Sequence, residues 1–209
     1  MNFEQLKQQY VDALLHTKAF LIKSLEEEPF TLRSGKKSYM FLDHSRLAAD
    51  PEAFRSFVNV MAAQIGDTFG TEPIVLCNVD SKISAQLVGS VAYNLKLPQI
   101  IYKSKQLTDV EKGTAKQMTG DETWAMPAVI LDDVMTGGDG TAKGVGDLIK
   151  ETFPKIPNIH IFVGFTRDIA RSTYPSHHIL TRNELINIVW DSLSAGQRTA
   201  VQKETNAKP

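Results

Sequence analysis

The segment AVILDDVMTGGDGT, residues 128–141, combines features that a sugar phosphate requires of a protein. An apolar run ends in two adjacent carboxylates, Asp132 and Asp133, a glycine-rich turn follows, and a helical pattern opens near Thr141. In an open parallel sheet, ligands bind beyond the carboxyl ends of the strands, so such a run delivers both acids to the binding edge. Free backbone N–H groups and the helix dipole favour a phosphate there, and glycines let the main chain approach closely. Neighbouring carboxylates accept hydrogen bonds from sugar hydroxyls or contribute to a Mg²⁺ site. The turn lacks the Gly-Lys-Ser/Thr of a Walker A loop and is not a G-x-G-x-x-G dinucleotide turn. Taken alone, the motif also fits an ordinary strand-to-helix connection with acidic punctuation. One residue is out of keeping: Asp139 puts a negative charge into the turn. A carboxylate within about 4 Å of a phosphate costs on the order of a few kcal/mol unless it turns away or meets a cation.

The elements that position this segment follow from apolar spacing. PIVLCN (73–78), QIIY (99–102), AVIL (128–131) and IHIFVGF (159–165) are short apolar runs without alternation, as strands buried on both faces read. Helical spacing over 82–95 and 141–153 separates most of them, and this alternation predicts a largely parallel sheet covered by helices. Upstream, Phe3, Leu6, Tyr10, Ala13, Leu14 and Leu21 recur at helical spacing and predict an amphipathic helix over 3–25. Residues 30–46 carry a Ser-Gly-Lys-Lys turn between two extended pieces and predict a hairpin. Asp50-Pro51 supplies an N-cap and first residue for a helix through Ile65, and Thr181-x-x-Glu184 is a capping box for a last one. The chain after Gly196 is polar and is expected to fray. Between two buried strands lies KSKQLTDVEKGTAKQMTGDET (103–123), a length uncommon for a loop in a compact domain. Its lysines suit a lid closing over an anion; a solvated insertion or small hairpin is the alternative.

Bulk properties narrow the class. A chain of 209 residues, 42% hydrophobic, suits one compact domain, and a net charge of −1 gives no support for nucleic-acid or anionic-membrane partners. Apolar stretches of around six residues fall far short of the roughly 20 needed to span a bilayer. The N-terminus carries acids and does not read as a signal peptide, and a single cysteine, Cys77 in an apolar run, fits a reducing cytoplasm. The five histidines show no metal-ligand spacing, and His177 and His178, following Pro175-Ser176, are expected in a loop.

With these elements in place, the acid pair, Val-x-Thr and glycine-rich turn resemble the phosphoribosyl-diphosphate loop of type I phosphoribosyltransferases. FTLRSGKKSYMFLD (30–43) is similar, nearly position by position, to the N-terminal substrate segment of orotate phosphoribosyltransferases. The resemblance covers roughly residues 3–193. It implies an α/β fold: a mostly parallel twisted sheet flanked by helices, with a small N-terminal hood. One domain would span 1–196, with hood and substrate segment over about 1–50, core over 51–196, and a polar tail over 197–209. The implied reaction transfers ribose 5-phosphate from 5-phosphoribosyl 1-diphosphate to orotate, giving orotidine 5′-phosphate and diphosphate, a step of pyrimidine biosynthesis. The resemblance assigns Arg33, Phe41, Leu42, Thr136 and Arg167 to the base. It assigns Asp132, Asp133, Thr136, Gly137, Gly138, Gly140 and Thr141 to the ribose and its phosphate, and Lys82 and Lys112 to the rest of the donor. Lys103 and Lys105 stand with the two aspartates as catalytic candidates; Mg²⁺ is the implied cofactor and a homodimer with shared sites the implied assembly. The residue types agree: arginine offers a planar fork for a carboxylate, Phe41 a face for a flat base, and Lys82 a charge that opposes its helix dipole.

Two departures stand out. The family's lid carries a basic pair and a His-Gly, whereas YKSKQLTDVEKG has neither an arginine pair nor a histidine. The family's turn places Thr or Ser where Asp139 stands, with Thr141 arriving two residues late. The expectation is that Asp139 and Gly140 bulge outward, Asp139 caps the helix, and Thr141 supplies the hydroxyl. A transferase for another base and a non-catalytic sensor of phosphoribosyl diphosphate are the rival readings.

Overall fold

A computed structural model describes residues 1–32, 35–106, 114–135, 140–167 and 172–205. In chain order the elements are α1 (Phe3–His16), β1 (Phe20–Ile22), β2 (Phe30–Thr31), β3 (Lys37–Ser38), β4 (Met40–Leu42), α2 (Ser45–Ala48) and α3 (Pro51–Phe69). The core continues with β5 (Val75–Asn78), α4 (Lys82–Leu95), β6 (Gln99–Gln106), β7 (Thr114–Thr119), β8 (Ala128–Met135), α5 (Gly140–Thr152) and β9 (Ile159–Thr166). It closes with β10 (Ser176–Thr181), α6 (Arg182–Val189), a 3₁₀ turn at Trp190–Ser192 and α7 (Ala195–Thr205).

Six strands form the main sheet in the order β10-β9-β8-β5-β6-β7, parallel throughout except for β7, which returns antiparallel along β6. Side-chain alternation along the central strands divides the core in two. Val129 and Leu131 of β8 and Leu76 of β5 face α1, α3 and α4, whereas Ala128, Ile130, Val75 and Cys77 face α5. Because both faces are covered, these strands read as unbroken apolar runs. A third, smaller cluster joins Met40 of β4 to Ile186 of α6 and Val201 of α7, and it seats the hood on the C-terminal helices. Burial pushes the Cys77 thiol well above its ordinary range, so it behaves as a small hydrophobe.

The mostly parallel, helix-flanked sheet agrees with the fold class expected from sequence. The Asp50 carboxylate accepts from the amides of Glu52 and Ala53 with Pro51 as first helical residue, and Thr181 and Glu184 form the reciprocal capping box. Four expectations are corrected. The first helix stops at His16: Lys18 takes a left-handed conformation (φ 52°), and Phe20–Ile22 pair antiparallel with β4. Leu21 kept the helical spacing by coincidence. Within the interval 103–123 the hairpin alternative replaces the long loop: its described residues 103–106 and 114–119 are arms of the β6–β7 hairpin. His177 and His178 lie in β10, paired parallel with β9, rather than in a loop. Through Thr205 the expected frayed tail is instead α7, whose Ala200 and Val201 are fully buried.

β10 brings His177 against His160 of β9, with ring centroids 5.6 Å apart, and onto Phe162 at 4.3 Å. Burial holds both imidazoles below their ordinary value, and the neighbouring His160 and His178 lower His177 further. The unfolded chain therefore binds these protons more readily than the fold does. The stabilisation is present above about pH 6.5 and is lost as pH falls through the folded values. The urea midpoint should drop between pH 7.5 and 5.5, and His177→Phe, which preserves the stack, should flatten that slope. An equal slope in the variant would show that the pair does not govern it.

Candidate functional site

Chain crossovers leave the sheet in opposite directions on either side of the β5–β8 pair, which makes this the topological switch point. Ligands in open α/β sheets lie there, beyond the carboxyl ends of the strands. A cavity of about 320 Å³ opens at that point, and each part of its wall comes from a different segment. Asp132, Asp133 and Val134 come from β8, Thr141 from the start of α5, and Val79 and Ser81 from the turn after β5. Phe165 comes from the end of β9, Arg167 from the position after it, and Leu32, Phe41 and Leu42 from the hood. Its volume is at the small end of the range for ligand sites.

A second cavity of about 450 Å³ shares Val79 and Ser81 with the first and holds Lys82 and Lys103. Its geometry is fixed by buried polar contacts. Asn78 bridges the end of β5 to β6 by donating to the Tyr102 carbonyl (2.9 Å) and accepting from the Tyr102 amide (3.0 Å), and Lys103 follows directly. Ser84 donates to the Leu131 carbonyl at 2.6 Å and accepts from the Val79 amide at 2.9 Å, pinning α4 between β5 and β8. Lys82 opens α4 with no acidic residue in its first turn, so its charge opposes the helix dipole without compensation there.

The two aspartates have different surroundings. The Asp132 carboxylate accepts from the Asp133 amide at 2.9 Å, while the Asp133 carboxylate lies 3.6 Å from Nδ1 of the buried His44. Among the described residues, no three His, Cys, Asp or Glu side chains gather to form a metal cage. The adjacent carboxylates suit instead a Mg²⁺ that keeps several waters and takes one or two carboxylates together with substrate phosphates.

Of the residues singled out from sequence, the first cavity unites Phe41, Leu42, Asp132, Asp133, Thr141 and Arg167, and the second unites Lys82 and Lys103. Lys105 is placed by its backbone alone, paired with Ala115 in the hairpin. Gly140 opens α5 at the surface. Arg33, Lys112, Thr136, Gly137, Gly138 and the anomalous Asp139 lie outside the described residues.

Sequence reasoning missed Glu204. From α7 its carboxylate accepts from the Ser38 hydroxyl and the Tyr39 amide, each at 2.7 Å, and stands 3.7 Å from the Arg167 guanidinium. Arg167 in turn donates to Ser38 Oγ (3.1 Å) and to the Met40 carbonyl (2.8 Å). Hood, β9 and α7 thus meet at one charged junction. Phe41, on the strand following that junction, packs on Phe30 with centroids 5.5 Å apart. Only the separation in sequence, 166 residues between Ser38 and Glu204, hid this contact, since nothing local marks it. Glu204→Ala should destabilise the fold by about 2 kcal/mol, the scale of hydrogen bonds to a charged group, as read from denaturant midpoints. A midpoint equal to that of the parent chain would mean that α7 does not hold the hood.

No family model matches the chain. Orotate phosphoribosyltransferases of Listeria innocua and Methanosarcina mazei are 27% and 28% identical to it over 140 and 155 residues. The matches cover 67% and 72% of this chain and 64% and 73% of those proteins. The chain therefore spans just under two thirds of the Listeria relative. An adenine phosphoribosyltransferase of Francisella tularensis is 29% identical over 61% of the chain and 77% of its own length. Among solved structures, Leishmania donovani UMP synthase superposes with a TM-score of 0.70 at 15% identity, over 94% of this chain and 41% of that one. Orotate phosphoribosyltransferase from Aeropyrum pernix gives 0.65 at 18% identity, over 86% and 97%. The fold is that of the type I phosphoribosyltransferases.

Proposed function

From a chain that stands with the phosphoribosyltransferases in sequence and carries their fold, we propose that the protein transfers ribose 5-phosphate from 5-phosphoribosyl 1-diphosphate to orotate. The observation that carries this reading is one cavity walled on one side by Asp132, Asp133 and the start of α5, and on the other by Phe41 and Arg167. The first set suits a ribose 5-phosphate and the second a flat, anionic ring. In the adjoining cavity, Lys82 and Lys103 suit the leaving diphosphate. The bond from the anomeric carbon to diphosphate breaks, the bond to the ring nitrogen forms, and the nitrogen's proton leaves. Positive charge develops on the sugar while negative charge gathers on the diphosphate, and fixed charges stabilise both. Mg²⁺ held by the donor and by Asp132 or Asp133 would add electrostatic stabilisation of the leaving group. The hairpin of β6 and β7 would act as a lid that keeps water from the activated sugar. A homodimer with shared sites and a cytoplasmic setting belong to the same proposal; no helix among the described residues is long and apolar enough to cross a membrane.

A second acceptor class has one observation in its favour. Glu204 stands beside Arg167 and offsets its charge, which weakens the pull on an acceptor carboxylate and suits an uncharged base such as adenine. Incubation with phosphoribosyl diphosphate and Mg²⁺, with orotate and adenine in parallel, separates the two readings. Loss of orotate absorbance with no adenine nucleotide formed is the expected result; adenine turnover alone would replace the acceptor. Asp133→Asn should lower kcat about a hundredfold or more, the scale of removing one preorganised charge from a reacting site. Undiminished turnover would mean that the acid pair does not serve the sugar.

A further inference from the structure

We propose that His44 is a positioning residue, fixed by Tyr10 as the Nδ1–H tautomer so that it holds the Asp133 carboxylate in place for the sugar. The inference rests on the reading of Asp133 as part of the sugar site. His44 precedes α2 and its side chain is fully buried. Its ring stacks on Phe57 of α3 at 4.9 Å, and Phe57 stacks on Tyr10 of α1 at the same distance. The Tyr10 hydroxyl lies 2.6 Å from His44 Nε2. On the far edge of the ring, Nδ1 is buried without a hydrogen bond, and the Asp133 carboxylate stands 3.6 Å away.

This geometry decides the tautomer. If Nε2 carried the hydrogen, the phenol hydrogen would have no acceptor, because Tyr10 makes no other hydrogen bond among the described residues. The lone pair on Nδ1 would then face a carboxylate. With Tyr10 donating to Nε2, the phenol hydrogen has its acceptor, and Nδ1 carries a hydrogen aimed at Asp133 instead of a lone pair facing it. The 3.6 Å gap is too long for a hydrogen bond, but the Asp133 side chain is 22% exposed and can close it by a small rotation. Catalytic hydrogen bonds are often long in an unliganded protein and tighten when substrate binds.

The surrounding fold makes room for this cluster. A Cβ on Gly164, in the middle of β9, would meet Phe57 at 2.6 Å and the Tyr10 hydroxyl at 2.9 Å. Glycine weakens a strand interior and here marks a close approach. Tyr10 from the N-terminal helix, His44 before α2 and Asp133 on the central strand therefore form one line from the N-terminal segment to the sugar edge.

Imidazole ¹⁵N spectra of the full chain test the tautomer directly, with the His44 signal assigned by its loss in His44→Asn. A pyrrole-like shift on Nδ1 and a pyridine-like shift on Nε2 are expected, and Tyr10→Phe, which removes the donor to Nε2 but leaves Asp133 facing Nδ1, should raise the Nε2–H share without making it dominant. An Nε2–H tautomer in the parent chain would overturn the proposal, whatever reaction the protein catalyses. The kinetic arm compares two variants of opposite packing. His44→Phe keeps the ring stack and removes both nitrogens, whereas His44→Asn loses packing but keeps an amide donor where Nδ1 stood. kcat should fall tenfold or more in the Phe variant with KM for the donor sugar within threefold, and the less stable Asn variant should be the more active. Activity that follows melting temperature instead would reduce His44 to a packing residue. If no base is turned over by the parent chain, the function proposed above fails on its own, and the spectra still decide the tautomer.

Discussion

Strand β8 must remain in the middle of a covered sheet and still present charge at its end, and the rest of the molecule answers to that constraint. Ala128 to Leu131 are fully buried, paired on both sides by parallel strands, and the next two residues are aspartates within the same strand. A carboxylate buried without a partner would neutralise or destabilise the fold. The acids therefore sit just past the point where β5 ends, with β9 alone still paired to β8 beside them. The Asp133 amide donates to Asp132, Ser84 satisfies the Leu131 carbonyl, and the β5 turn stands clear so that a cavity can open beside the pair.

The opposite wall is less self-sufficient. The hood's strands are only two or three residues long and cannot hold a shape without support. Their support is distant in sequence: Arg167, just after β9, and Glu204 from α7 grip Ser38, Tyr39 and Met40, with Val201 filling the space beneath. Under the function proposed above, this arrangement would tie acceptor choice to the C-terminal helix. The guanidinium that the proposal assigns to an anionic ring is already shared with a carboxylate, so on that proposal the electrostatic balance of this wall would separate one acceptor class from another.

How much of this was legible in the sequence depended on the range of the interaction. Asp50-Pro51 and Thr181-x-x-Glu184 announce their helices because capping is satisfied within a few residues. Three of the four apolar runs announce the sheet because burial on both faces removes alternation; QIIY, expected to read the same way, alternates instead, with Ile101 exposed between buried Ile100 and Tyr102 because one face of β6 is open there. The acid pair and the hood segment stood out because their residue types carry chemistry wherever they fall. Other features had no local mark. Phe20–Ile22 became a strand because Met40–Leu42 was there to pair with it, despite a Leu21 in helical register. α7 looked like a polar tail because only Ala200 and Val201 are buried along it. The contacts of Glu204 and His44 lie across 165 and 89 positions of chain respectively, where no spacing rule operates.

The central claim is that a sugar-phosphate wall and a base wall face each other across one cavity at the β5–β8 switch point. A crystal structure of the protein with orotidine 5′-phosphate bound tests it most directly. The account predicts the phosphate against the amides at the start of α5, the ribose hydroxyls on Asp132 and Asp133, and the pyrimidine on Phe41 with its carboxylate toward Arg167. A nucleotide bound elsewhere, or one whose base turns away from Phe41 and Arg167, would contradict it.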